Sequence, residues 1–335
     1  MATGLSSKEF VENELKDVRS DPKLSSLEFI ACHKVLVQVR IKYTEYKNII
    51  VNIQFPPEYP ANPLLLQIKS KVLPDKLIEK IETLCDQELK KLVGSKQVST
   101  ILLFLCDFIK NNPLIVCSEE LQYIKNTINR EGDELKIKQR TGVILYKAFQ
   151  DQYFIDFKMT VPNEYPASHV QLEFKENNLP VNLYHIMKGQ TVELLRQCVE
   201  PPIRRNPRAG PFVPRPSLQF ITNYLVVDCL RSITTDSCPV CNKRALPTDP
   251  KDIIIDEGHP QYVYRIYCGH LYHFQCLDSY MKTPPFTGGK KCVKCGQRVF
   301  HDKWNVPPRL AEERWAHQEA RKREIAEVAE FLGFD

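Results

Sequence analysis

No stretch of this 335-residue chain is apolar over the ~18 positions that a membrane span needs. The longest apolar run, Val98 to Ile109, is interrupted by Ser99, Thr100 and Asp107. The opening MATGLSSKEF holds no apolar core of the signal-peptide kind, so secretion is not expected. An excess of one charge is also missing: 46 Lys and Arg stand against 41 Asp and Glu, a net of +5 with a pI of about 8.5. Nucleic-acid binders show a basic face and a pI above about 9. At 43% hydrophobic and 26% charged residues the composition is that of a globular chain, not of a low-complexity one. These absences predict a cytoplasmic and/or nuclear protein with no membrane and no nucleic-acid partner. Length alone suggests two or three domains at roughly 150 residues each.

Cysteine is what the sequence does have, 12 in all and unevenly spread. Cys32, Cys85, Cys106, Cys117, Cys198 and Cys229 stand singly in apolar stretches and read as small buried hydrophobes. The other six fall between residues 238 and 295. With no secretion expected, disulfides are disfavoured and such a cluster reads as metal-binding.

Ahead of that cluster the texture alternates between helical and strand periods. Phe10, Val11 and Leu15 recur at helical spacing until Asp21-Pro22. Alternation then predicts strands around Val35–Ile41, Ile49–Phe55 and Leu64–Ile68, with a turn at Glu45–Asn48. Helical stripes follow, Leu77, Ile81 and Leu84 in one, and Val98, Ile101, Leu102, Leu105, Cys106 and Ile109 in the next, closed by Asn111-Asn112-Pro113. The pattern recurs 106 residues on. FPPEYPANPLLLQI (Phe55 to Ile68) aligns with VPNEYPASHVQLEF (Val161 to Phe174) at six of fourteen positions, including Tyr59/Tyr165 and Pro60/Pro166. Upstream, Ile49/Ile155, Val51/Phe157 and Ile53/Met159 keep one register, and a one-residue slip would have reversed the apolar face. Helices are predicted at Leu121–Ile128, Leu183–Cys198 and Ser217–Ser232. Two copies of one α+β domain are therefore expected, at about 1–114 and 118–232. The segment Pro201–Pro216, six prolines and four arginines in 16 residues, reads as an extended loop or as a basic docking peptide.

Strands running into a Tyr-Pro turn between helices resemble the RWD domain, a non-catalytic relative of ubiquitin-conjugating enzymes. The resemblance implies that the Tyr-Pro turn stiffens the connection between the third and fourth strands. The second copy has His169 where the first has Pro63. Neither copy carries the His-Pro-Asn stretch of conjugating enzymes, and Cys85 and Cys198 sit in helical apolar patterns, so no ubiquitin thioester is expected on either.

The cluster itself reads Cys238-x2-Cys241-x26-Cys268-x-His270-x2-His273-x2-Cys276-x15-Cys292-x2-Cys295, eight ligand-type residues in four close pairs. Zinc takes four such ligands tetrahedrally, so two closed structural zinc ions are expected, with no open position for catalysis. Three cysteines, two histidines and three cysteines is an order that resembles a RING finger of the H2 type. That resemblance implies an interleaved cross-brace: Cys238, Cys241, His273 and Cys276 on one zinc, and Cys268, His270, Cys292 and Cys295 on the other. It also implies a shallow groove for a ubiquitin-conjugating enzyme at Val240, Leu277 and Tyr280. Two departures concern ligase strength: Val293-Lys294 fills the last pair where a proline is usual, and Gly296 stands where a basic residue is common, with Arg298 two positions on. His259 and His301 lie off the pattern as loop histidines.

From Pro307 a weak stripe of Leu310, Ala311, Trp315, Ile325, Val328 and Leu332 predicts a C-terminal helix. The expected plan is α+β: two tandem RWD-like, ubiquitin-conjugating-enzyme-like domains (1–114 and 118–232), a RING-H2 finger (235–300) and a helix (307–333). The function this implies is that of an E3 ubiquitin ligase with no covalent catalyst on the chain. Its partners would be a conjugating enzyme and, through the RWD-like pair, a protein substrate or complex partner. The competing reading is a non-catalytic scaffold.

Overall fold

The protein is described here from a computed structural model that covers residues 7–202, 210–304 and 306–332. It is a mixed helix-and-sheet chain with two compact units. One is built from the chain up to Lys147 with Asp156–Lys175 and Gln190–Asn223, the other from Ala148–Ile155, Glu176–Gly189 and the chain from Tyr224 onward.

Helix α1 (Ser7–Ser20) turns Val11, Glu14, Leu15 and Val18 inward at three- and four-residue spacing. It stops at Asp21, whose carboxylate accepts the Lys23 N–H at 2.9 Å ahead of a short Pro22–Leu24 turn. Strands β1 (Glu28–Cys32), β2 (Leu36–Lys42), β3 (Asn48–Gln54) and β4 (Leu65–Lys69) form an antiparallel meander in that order. The period of two is strict in the middle: Val37, Val39 and Ile41 of β2 and Ile49, Val51 and Ile53 of β3 are buried, with Val39 opposite Val51. The sequence predicted three of these strands and missed β1. A bulge between Phe29 and Ala31 breaks its alternation, and no residue of it is fully buried, so an edge strand here leaves little periodic signal. Helices α2 (Asp75–Lys91) and α3 (Val98–Asn111) follow, with Ile81, Cys85, Leu89, Ile101, Leu102 and Leu105 in the core.

A second passage of the same order begins at α4 (Ser118–Tyr123), which widens by one turn over Ile124–Ile128. Then come β5 (Glu134–Lys138), β6 (Val143–Gln150), β7 (Tyr153–Thr160) and β8 (Gln171–Asn177), again in meander order, and α5 (Val181–Val199). Helix α6 (Leu218–Asn223) runs on through wide turns at Tyr224–Arg231 into α7 (Ser232–Thr235). Residues 203–209 of the Pro/Arg-rich segment lie outside the described residues. Beyond them the chain up to Ser217 forms neither helix nor strand, and the Arg215 guanidinium lies 4.9 Å from the Phe220 ring centre.

The two meanders share a buried polar device. Tyr59 and Tyr165 both precede a cis proline and are each 1% exposed. The Tyr59 hydroxyl donates to the Glu14 carboxylate of α1, which also accepts the Gln97 and Val98 backbone N–H groups at 2.7 Å each. In the second meander Tyr165 donates to Glu120 at 2.6 Å and accepts the Ser217 and Leu218 N–H groups, while Glu120 accepts that of Gln219 at 2.9 Å. A side chain finishes each arrangement: Gln97 accepts the Leu64 N–H at 3.0 Å and Ser217 that of Val170 at 3.1 Å. In both, a glutamate from an opening helix supplies the anion on which a later helix starts. Burial pushes both tyrosine hydroxyls far above the usual phenol range, with the neighbouring glutamate adding to it.

The remaining elements are a hairpin of β9 (Val263–Arg265) and β10 (Leu271–His273), helix α8 (Phe274–Lys282) and helix α9 (Pro308–Leu332). Along α9, Ala311 and Trp315 are partly covered, whereas Ile325 and Val328 are exposed at 61% and 56%. The expected packing stripe thus holds only for the first turns. Among the described residues no single helix is long and apolar enough to cross a membrane.

Candidate metal centre

The four ligand pairs are presented by three local structures. Two are matching knuckles. At the first, Cys238 donates its N–H to the Lys243 carbonyl and accepts that of Asn242; at the second, Cys292 donates to Gln297 and accepts from Gly296, with all four bonds between 2.7 and 2.9 Å. Short bridges, Ser237 with Arg244 and Lys291 with Arg298, close both loops. The turn needs a left-handed residue after the second cysteine, met by Asn242 at φ 57° and by Gly296 at φ 72°. Gly296, a departure when read as a missing basic residue, is thus the residue that this backbone favours.

The third structure is the β9–β10 hairpin running into α8. Its turn, with Gly269 at φ 90°, presents Cys268 and His270. His273 ends β10 as the extended residue before α8, so Cys276 falls in the first turn of that helix. Two quartets result: Cys238, Cys241, His273 and Cys276 in one, Cys268, His270, Cys292 and Cys295 in the other, with all donor atoms of a quartet within 4.8 Å of one another.

Each quartet could hold a metal ion. With metal–sulfur bonds near 2.3 Å and metal–nitrogen bonds near 2.0–2.1 Å, a tetrahedral site places sulfur and nitrogen about 3.6 Å apart. His273 Nδ1 lies 3.4 Å from Cys241 Sγ and 4.0 Å from Cys276 Sγ. His270 Nδ1 lies 3.3 Å from Cys268 Sγ and 3.4 Å from Cys292 Sγ. Three sulfurs, one nitrogen and no carboxylate in each is a soft donor set suited to zinc.

Protonation favours a cation as well. Burial works against a charge on Cys238, yet donation from His273 and from backbone N–H groups outweighs it and holds the thiol down at about 6. His273 is moved up to about 9, first by its hydrogen bond with Cys238. A thiolate facing an imidazolium leaves a proton that a divalent ion would displace. In the other quartet burial raises Cys292, and donation from the Tyr272 hydroxyl leads the effects that bring it below the usual thiol range. Tyr272 is fully buried, accepts the Val293 N–H at 3.0 Å and points its proton at Cys292 Sγ, 3.1 Å away. Sequence reading missed this support. Its only signal was an aromatic residue lodged between His270 and His273.

Around the quartets, Val240 is 40% exposed between two cysteines. Tyr280 is half-buried, donates to the Lys291 carbonyl at 2.7 Å and lies under the Lys290 ammonium, 4.6 Å from its ring centre. Leu277, expected on a contact surface, is instead fully buried with Ile266, Tyr272 and Val299, because its position on α8 faces the small core. Arg298 extends over the Phe300 ring at 5.1 Å. His259 is an exposed loop residue accepting the Gln261 N–H, whereas His301 packs on Tyr264 and Trp304. Of the six isolated cysteines, Cys85, Cys117, Cys198 and Cys229 are buried and Cys32 and Cys106 partly so. Burial, with nearby carboxylates, pushes the Cys85 thiol up to about 12, the reverse of an activated nucleophile.

Residues 10–109 match the RWD domain family, so the first meander with its flanking helices is an RWD domain. No curated protein matches the chain. An RWD domain points to a protein-interaction role in the ubiquitin pathway, and the metal-competent quartets are compatible with a zinc finger in the same chain.

Proposed function

We propose that the chain is a RING-type E3 ubiquitin ligase. The region of about 235–300 is a RING-H2 finger that recruits a ubiquitin-charged conjugating enzyme. The RWD domain, with a second RWD-like domain at 118–232, binds a protein substrate or complex partner. The observation that carries this reading is the interleaving of the quartets: the first and third pairs, Cys238/Cys241 and His273/Cys276, share one quartet, and the second and fourth, Cys268/His270 and Cys292/Cys295, share the other. Zinc, one ion in each quartet, would be structural, because four protein side chains complete each site and no position is left for a substrate. Catalysis is then positional: the finger restricts the thioester to reactive geometries, and no residue of this chain serves as a covalent catalyst. Metal analysis of the purified protein is expected to give two zinc ions per chain. A cytoplasmic or nuclear setting accords with free thiols.

With Leu277 buried, the conjugating enzyme would rest on Val240 and the outer face of Tyr280. Val240→Arg leaves every ligand in place and sets a charge against an apolar partner surface. Loss of one central contact costs about 2 kcal/mol, roughly a thirtyfold drop in affinity. The test is discharge of ubiquitin from a panel of charged conjugating enzymes. Undiminished discharge by zinc-loaded Val240→Arg removes this surface from the mechanism.

The second reading is a scaffold whose finger only assembles a complex. It is favoured by the knuckle turn at Gly296, which offers no basic side chain, and by Arg298 being engaged with Phe300. Wild-type protein that discharges no enzyme of the panel would make it the better one.

A further inference from the structure

Beside the quartets lies a groove of about 440 Å³, walled by α8, residues between Phe286 and Trp304, Val306 and the first turns of α9. That volume is within the range of about 300–1,000 Å³ typical of ligand clefts. Its chemistry has two components. Apolar surface comes from Met281, Phe286, Phe300, Trp304, Ala311 and Trp315. Charge comes from Lys282, Lys290, Arg298, Lys303 and Arg314, against a single carboxylate, Asp278. That carboxylate is already occupied: Lys282 lies 2.7 Å from it and the Trp304 indole N–H donates to it at 2.9 Å. Lys290, Arg298, Lys303 and Arg314 have no carboxylate partner among the described residues. Three of the four are held against rings instead. Lys303 stands 4.0 Å from the Phe274 ring centre, Arg298 lies over Phe300, and Lys290 lies 5.5 Å from Phe286. Lys290 is buried and donates to the Thr283 carbonyl at 2.5 Å, so Arg298, Lys303 and Arg314 are the cations left exposed without a carboxylate.

We propose that this groove binds a short acidic peptide segment carrying large apolar side chains, with the carboxylates on Arg298, Lys303 and Arg314 and the apolar groups between the two tryptophans. Tryptophan and arginine side by side in a concave site are what such recognition uses, and acidic motifs are commonly read by clustered basic residues. A nucleic-acid strand suits it less. The groove itself carries the Asp278 carboxylate and much aliphatic and aromatic surface, whereas a phosphate backbone needs cations along its whole length. The proposal goes beyond the ligase reading and stands whether or not the finger is active.

The chain holds two tryptophans, and both line this groove, so their fluorescence reports its occupancy without a label. The probe is acetyl-DEFLDEFLDEFL-amide, titrated into full-length zinc-loaded protein. A saturable shift that weakens as salt is raised is expected. The same peptide with lysine in place of its acids should give none. Arg298→Glu with Arg314→Glu should weaken binding at least tenfold, with zinc content unchanged because neither residue is a ligand. Should that pair misfold, Ala311→Phe fills the groove without altering charge and should weaken binding comparably. The proposal is overturned if the acidic peptide gives no saturable change. It is equally overturned if binding survives both variants, or if a twelve-residue oligothymidylate binds as tightly as the peptide.

Discussion

Twenty-four buried side chains form one cluster around β1–β4, drawn from strands and three helices, whereas the cluster beside the two quartets has six, and two of those, Cys238 and Cys292, are themselves quartet residues. The RWD domain can fold on the area that it buries. So small an apolar cluster falls short of the ordering entropy of the loops around the quartets. On the proposed reading metal coordination makes up that shortfall, and this difference is open to direct attack.

The largest effect should come from chelation. Removing zinc withdraws about 10–16 kcal/mol per site in comparable peptides. In the full-length chain, amide protons of β9, β10 and α8 should lose hydrogen-exchange protection while those of β2 and β3 keep theirs. Loss of protection in both regions together would mean that the difference is not one of separate folding. Next comes the same kind of truncation in each region. Ile53→Ala should cost about 2–5 kcal/mol in urea melts and leave zinc affinity alone. Leu277→Ala, equally buried, should appear instead as a drop of about thirtyfold or more in apparent zinc affinity, since metal binding and folding are one equilibrium there. If Leu277→Ala leaves zinc affinity unchanged, the finger has a sufficient core of its own.

A smaller effect concerns the buried carboxylates. Glu14→Ala strands the Gln97 and Val98 N–H groups and the Tyr59 hydroxyl, and should lower stability by about 2–3 kcal/mol. The smallest is its pH dependence at the counterpart. Burial is the main cause holding the Glu120 carboxyl above its ordinary value, only partly offset by the Gln219 N–H and the Tyr165 hydroxyl. The folded state therefore takes up this proton more readily than the unfolded chain. The native glutamate contributes most below the ordinary carboxylate range, and that contribution fades as pH rises through the raised value. Glu120→Gln should accordingly trail the native protein more at pH 4 than at pH 7 in matched urea melts; a gap that widens toward neutral pH would reverse the assignment.

Much of this was legible beforehand where one physical signal dominated. Strict alternation marked β2 and β3, and the 106-residue offset marked the recurring Tyr-Pro turns, both cis in the structure. The close pairing of the eight cysteines and histidines was legible from spacing, and the structure gathers them into two quartets that could each hold a metal ion. What escaped depended on contacts distant in sequence. β1 is a bulged edge with no buried face. Glu14 looks like any polar residue on a surface helix, although its recurrence as Glu120 at the same offset was a signal that went unread. Leu277 was placed on the contact surface by resemblance alone, and resemblance does not say which face of α8 meets this chain's small core.

The paired glutamates bear on where the chain can be cut. Glu14 lies in the first helix of the RWD domain, and the helix that starts on its charge begins more than eighty residues later. A truncation or an alternative start that removes α1 would thus be felt at the entrance of α3, not where the missing segment was. Glu120 repeats the dependence for α6, only two residues inside α4. A fragment boundary that respects both anchors has to fall between Asn111 and Ser118, a window of a few residues, and a cut drawn a turn later would leave the closing helix without the carboxyl group that accepts its Gln219 N–H.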